Sequence, residues 1–186
     1  MYHISHDKRS ERSAETIYEG LLRCLEEKPF DRITVSDLQR ASGVARTTFY
    51  RCFDDVSDVL TWRCDACFAE VLGQCGPEGF ADELGLVRRY FEYWMRHSDI
   101  LELLVRIDRQ DIIYACHMRA ADALQERYGS VPGLPDGEGD YFMALRTGLT
   151  ISILTTWLRR GRTESPDEVA DIVKGQVAMI ARGSGA

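Results

Sequence analysis

Between Arg12 and Glu27 the apolar residues Ala14, Ile17, Tyr18, Leu21, Leu22 and Leu25 recur at three- and four-residue intervals. That spacing is one stripe of an amphipathic helix. Pro29 disfavours helix at Lys28, and Thr34 can cap a second helix over Val35–Ala41, with Asp37 in its first turn. Gly43 supplies a tight turn, and a third short helix is predicted from about Ala45 to Cys52. Two short helices joined by a glycine-containing turn form a helix-turn-helix. Asp55 or Ser57 can start a fourth helix reaching Gln74, before the Gly- and Pro-containing cluster 73–79. Helical patterns resume over Ala81–His97, Asp99–Arg106, Arg109–Tyr128, Gly139–Arg160 and Pro166–Ala181, with a loop at 130–137. The chain therefore reads as all-α, with about nine helices, no strand and no internal repeat.

At 186 residues, one or two small domains fit and a barrel enzyme does not. Apolar residues make up 45% and charged residues 28%, enough to build a core. The longest uncharged stretch near the C-terminus, Thr147–Leu158, is about half of the ~20 apolar residues needed to span a bilayer, so no membrane partner is expected. The first nine residues lack the apolar run of a signal peptide, and a cytoplasmic location is the expectation. The six cysteines then sit in a reducing compartment. Cys64 and Cys67 are the only close pair, and no second pair completes a zinc site. No metal, cofactor or catalytic residue is assigned, and no nucleophile with its base, carboxylate pair or ligand set supports an enzyme. A Cys-based redox or metal sensor is a further, lesser alternative.

The sequence Phe30-x-x-Ile33-Thr34-Val35-x-Asp37-Leu38-x-x-Ala41-x-Gly43-Val44-x-x-x-Thr48-Phe49-Tyr50-Arg51-x-Phe53 resembles the N-terminal domain of the TetR family of bacterial transcriptional regulators. The resemblance extends over roughly residues 12–62. A softer one, Tyr141-Phe142 through Gly148, Trp157-Leu158, Gly161 and Ser165-Pro166-Asp167-Glu168-Val169, resembles the closing helix pair of one large branch of that family. The organisation implied is a flexible arm at 1–11, a three-helix DNA-binding domain at 12–55, and a helical ligand-binding and dimerisation domain at 56–186. Its expected partners are double-stranded DNA, an unknown small-molecule effector and a second copy of the chain.

A recognition helix needs an apolar inner face and an outer face of hydrogen-bonding side chains. Val44, Phe49 and Phe53 can pack against Leu38 and Leu21, leaving Arg46, Thr47, Tyr50 and Arg51 outward and Thr48 near the rim. Arg46 suits base readout, because a guanidinium can bridge O6 and N7 of guanine. By resemblance Thr47 is a second base-contacting position, and Thr34, Ser36, Thr48 and Tyr50 hold phosphate. One departure stands out: the family's phosphate-binding lysine falls on Val56, preceded by Asp54 and Asp55. Lys8, Arg9 and Arg12 could compensate from a flexible arm in the minor groove, or belong to an ordinary disordered terminus. A dimeric interaction protein with weak or no DNA binding is therefore the alternative reading.

In the body, Trp62, Tyr90, Trp94, His97, Tyr114 and His117 are the candidate effector contacts, with core packing as the bland reading of each. The resemblance places Leu149, Ile153, Trp157, Val169, Ile172 and Val173 in a four-helix dimer interface, although such a stripe serves equally as core. Net charge is −7. It divides unevenly: residues 1–53 carry nine Lys/Arg against eight Asp/Glu, and residues 54–186 carry fourteen against twenty-two. The acidity belongs to the body, so DNA contact would be confined to the small head.

Overall fold

The computed structural model describes residues 1–4, 8–73, 83–128 and 137–183. Among them are nine α-helices and no strand: α1 (Lys8–Glu27), α2 (Val35–Ser42), α3 (Arg46–Cys52), α4 (Val56–Gly73), α5 (Glu83–His97), α6 (Asp99–Arg106), α7 (Gln110–Tyr128), α8 (Gly139–Arg159) and α9 (Pro166–Gly183), with a 3-10 turn at Phe30–Arg32. None of these helices is long and apolar enough to cross a membrane.

The helix starts follow from side-chain chemistry. Thr34 Oγ1 accepts from the Asp37 backbone N–H, and the Asp37 carboxylate accepts from the Thr34 backbone N–H, a reciprocal capping box that opens α2. Gly43, at φ 72°, closes the same helix in the left-handed conformation. Ser165 and Glu168 form the equivalent box ahead of α9, with Pro166 at its first position. Thr34→Ala should lower stability by about 1 kcal/mol, because the Asp37 N–H would be left without its partner. Chemical denaturation with an unchanged m-value checks it.

Ala14, Ile17 and Leu21 of α1 meet Leu38, Phe49 and Phe53, all at most 2% exposed, as the core of the three-helix head. α1 and α2 approach closely at Gly20, where a Cβ would stand 2.8 Å from Ser42 Cβ and 3.1 Å from its backbone nitrogen. Gly20→Ala gains about 1 kcal/mol of helix propensity but forces the two backbones apart, at about 1–3 kcal/mol. The net expectation is a loss of about 1 kcal/mol; a raised melting temperature would contradict it.

α4 leads from the head into the body, where it packs most extensively on α7, while α5 packs on α9 and α7 on α8. A single cluster of buried apolar side chains runs from Ala14 to Val169, so head and body share one core.

Over its described residues, the segment expected as a flexible arm at 1–11 carries helix and contacts. α1 begins at Lys8, so Lys8, Arg9 and Arg12 are helical residues. Tyr2 forms an antiparallel bridge with Phe53, the His3 N–H donates to the Cys52 carbonyl at 2.8 Å, and the Tyr2 hydroxyl donates to Asp65 at 3.0 Å. The aromatic body and hydroxyl of Tyr2 thus bring the segment back over the end of α3, instead of leaving it extended toward a groove.

Candidate nucleic-acid interface

α3 is only seven residues long, and Phe49 and Cys52 turn inward to place it. Phe49 sits 5.8 Å from the Phe53 ring, and Phe53 meets Trp62 of α4 edge-on at 6.1 Å. The opposite face presents Arg46, Thr47, Tyr50 and Arg51 to solvent, with Thr48 half-buried at its edge. The Arg46 guanidinium donates to the Tyr50 hydroxyl at 3.3 Å and lies 5.5 Å over the Tyr50 ring. That stacking pre-orders a long side chain while leaving most of its five donors open. No ion pair among the described residues engages Arg46 or Arg51.

Thr34 differs from its expected phosphate-binding role. Its hydroxyl hydrogen goes to Asp37 Oδ2 at 2.6 Å and its oxygen accepts from the Asp37 N–H. A hydroxyl carries one donor, so Thr34 is committed to the cap. The Lys28 ammonium, 2.7 Å from Asp37, and Thr34 hold this carboxyl far below the ordinary carboxylate range. Ser36, one turn-position on, is exposed.

The two acids beside α3 have structural partners. Asp55 Oδ1 accepts from the Asp58 N–H at 3.0 Å, and the Asp58 carboxylate accepts from the Asp54 and Asp55 N–H groups at 2.9 and 3.3 Å. This is the N-terminal cap of α4. Asp54 also meets His3 Nε2 at 3.0 Å. Val56 is half-buried against the core and, being apolar, offers no cation to a phosphate.

A residue that sequence patterning did not single out ties the body to this head. Arg109, in the α6–α7 turn, forms a two-armed pair with Asp111, both arms at 2.9 Å, and donates to Ser57 of α4 at 3.0 Å. Its guanidinium also lies 5.5 Å over the Phe30 ring. Arg63 of α4 reaches α1 in the same manner, 5.7 Å over Tyr18 and 3.4 Å from Glu15. Neither pattern is visible in one-dimensional spacing, because the partners lie on other helices.

The structure divides the six candidate effector contacts. Tyr90 and Trp94 of α5 and His117 of α7 come together around Phe68 of α4 in a closed ring of edge-on contacts: Phe68–Trp94 at 5.1 Å, Trp94–Tyr90 at 6.0 Å, Tyr90–His117 at 6.2 Å and His117–Phe68 at 5.4 Å. His117 Nδ1 meets the Thr147 hydroxyl at 3.1 Å. Burial, and secondarily the Arg146 charge, push its pKa down to about 4, so the imidazole is neutral. Trp94 Nε1 is buried with no acceptor among the described residues. The other three lie elsewhere. Trp62 packs on Phe53 at the head, His97 stacks on Tyr93 at 4.5 Å with its outer face exposed, and Tyr114 is 41% exposed. A separate cleft of about 520 Å³ opens between α1, α6 and the α8–α9 turn, over Tyr18, Leu22, Leu103 and Leu158, and takes in none of the six.

The expected dimer stripe also splits. Trp157 and Val169 are 2% and 3% exposed and belong to the chain's own core: Trp157 meets Phe91 edge-on at 5.2 Å and donates from Nε1 to the Glu164 carbonyl at 2.9 Å. Ile153 and Val173 are half-buried, packed against that same core. Leu149 and Ile172 face outward at 41% and 50%, joined by Tyr141, Leu145 and Met179 at 63–78%. Large apolar side chains thus stand exposed on both α8 and α9, while Trp157 and Val169 close on the core.

No protein-family model matches the chain. No curated protein matches it either. Among solved structures, the crystal structure of a TetR transcriptional regulator from Streptococcus agalactiae 2603V is similar with a TM-score of 0.58 at 19% sequence identity, over 91% of this chain and 94% of that one. The all-α chain, with its three-helix head and helical body, has a TetR-like fold.

Proposed function

We propose that the chain is a homodimeric DNA-binding transcriptional regulator that reads a pseudo-palindromic operator with α3 and answers a small-molecule effector bound in the body. The observation that carries the reading is the exposed row Arg46, Thr47, Tyr50 and Arg51 on a short helix whose opposite face is locked into the head core. A base-reading helix needs that combination of free donors and fixed placement. Thr48 and Ser36 supply the nearest hydroxyls for backbone phosphate. The likeness to the streptococcal regulator supports the same reading at the level of fold.

Two copies joined through the exposed apolar face of α8 and α9 would set the two α3 helices for successive major grooves, one helical turn or ~34 Å apart. The expected solution mass is twice 21.2 kDa by light scattering. A ligand entering the ring of Phe68, Tyr90, Trp94 and His117 would act by binding one head spacing better than another, a coupling of ~1–3 kcal/mol. Repression is the proposed sign, since a dimer seated on an operator occludes a promoter. The protein works by binding, without turnover, in the cytoplasm.

Selection from random duplex with the purified chain tests this directly, and a two-fold symmetric consensus is the expected result. With few cations near phosphate, non-specific binding should be weak. The half-buried, uncharged Val56 favours one second reading, a dimeric interaction protein with little DNA affinity. Failure to enrich any duplex at low salt would decide for it.

A further inference from the structure

Two thiols that are far apart in the sequence meet where α4 packs on α7. Cys64 on α4 and Cys116 on α7 are both fully buried, on the two helices that pack most extensively, and burial together with the neighbouring Cys116 thiol raises the Cys64 pKa. Cys116 Sγ also faces the Thr61 carbonyl at 3.7 Å, one turn back on α4. Arg119 Nη2 donates to Cys116 Sγ at 3.2 Å and to Asp65 at 2.9 Å, and Asp65 in turn accepts from Tyr2. The Arg119 side chain is 48% exposed, so the guanidinium that touches Cys116 also meets solvent, and its rotamer changes are ps–ns events. Cys67, the sequence neighbour, is engaged instead with Tyr93 of α5.

We propose that Cys64 and Cys116 form a redox-active dithiol, which a hydroperoxide converts into an intramolecular disulfide that ties α4 to α7. The Cys116 sulfur, which receives the Arg119 guanidinium, attacks the peroxide: an S–O bond forms, the O–O bond breaks, and water or an alcohol leaves. The product is a Cys116 sulfenic acid. The Cys64 sulfur then attacks the Cys116 sulfur, the S–S bond forms, and the departing hydroxide takes the Cys64 proton as water. Two thiols lose two electrons and the peroxide gains them. Burial and the neighbouring Cys116 thiol raise the Cys64 pKa, so Cys64 reacts as a thiol that gives up its proton to the departing hydroxide as the S–S bond forms. Because the S–S bond is ~2.05 Å long, closure draws α4 toward α7 and fixes the helix that carries the head. On the DNA-binding reading proposed above, this makes the head spacing responsive to peroxide.

The test is oxidation of the full chain with hydrogen peroxide, alkylation, digestion and mass analysis. A Cys64–Cys116 cross-linked peptide, abolished by dithiothreitol, is expected. C64S should leave a Cys116 sulfenic acid that dimedone traps, and C116S should leave Cys64 unoxidised. Cross-linking through other cysteines or between chains, or full alkylation of both thiols after peroxide, overturns the proposal. For the selected operator, oxidation should lower affinity at least fivefold in wild type and not in C64S; a cross-linked chain with unchanged affinity overturns the regulatory role. A reduced chain that selects no duplex refutes the DNA-binding reading alone, and the peptide result still decides the dithiol.

Discussion

Arg46→Ala will weaken operator binding by about 1–3 kcal/mol, and the loss will be concentrated at one base pair of each half-site. Arg46 is at the first turn of α3, exposed, and ordered by the Tyr50 ring and hydroxyl rather than by a carboxylate. Its fork is therefore free for a guanine edge while its side-chain entropy is already partly lost. Binding of the variant to single-substitution operators separates base reading from backbone attraction. A base contact flattens the preference at that one position, whereas a phosphate contact weakens every sequence alike and lowers the salt slope by about one unit. An unchanged preference at every position would remove Arg46 from base readout. Tyr50→Phe gives a control, because it keeps the ring beneath the guanidinium and deletes only the 3.3 Å hydrogen bond.

Mild acid will destabilise the body through His117, by about 2 kcal/mol between pH 6.5 and pH 5 and by roughly 3 kcal/mol in all at the plateau below pH 4. In the folded state the pKa is about 4, against 6.5 for the free imidazole. Between those values the unfolded chain binds a proton that the folded chain refuses, so the stability contribution is complete above pH 6.5 and declines as pH falls toward 4. The cause is burial among Phe68, Tyr90 and Thr147, assisted by the Arg146 charge. Carboxylates held below their ordinary values, among them Asp111 and Glu168, lose their contributions only from about pH 4.5 downward. The window from 6.5 to 5 therefore isolates the histidine. Urea midpoints across that window should slope in wild type and flatten in His117→Gln, which keeps a hydrogen-bonding group near Thr147. An equal slope in both chains would place the acid sensitivity elsewhere.

The helices were legible because each is written locally. α6 runs over Asp99–Arg106, the bounds that its spacing predicts, and the Thr34 and Ser165 boxes mark starts within four residues of sequence. The outward row on α3 was legible for the same reason, since a 3.6-residue period fixes which side chains oppose Phe49 and Phe53. Legibility ended where a residue's surroundings come from another helix. Leu149 and Trp157 lie eight residues apart on α8 and carry the same periodic signal, yet one faces solvent and the other is closed over by Phe91 of α5 and the Glu164 carbonyl. Trp62 and Trp94 likewise read alike, but Trp62 packs on the head and Trp94 within the body. Thr34 was correctly placed at a helix start, but its hydroxyl proton was already taken by Asp37.

The sequence by itself determined the all-α class, the register of the head, the outward face of α3 and the location of the net negative charge in the body. All of these depend on neighbours within about one helical turn, or on counting. Only the tertiary structure decided which apolar stripe closes on the chain's own core and which stays open on α8 and α9. It also brought Tyr90, Trp94 and His117 around Phe68, set Arg109 on Ser57, and packed the α7 helix of Cys116 on the α4 helix of Cys64. Helical periodicity says that a face is apolar; the rotation and approach of the neighbouring helix, set by packing at many distant positions at once, say what that face meets.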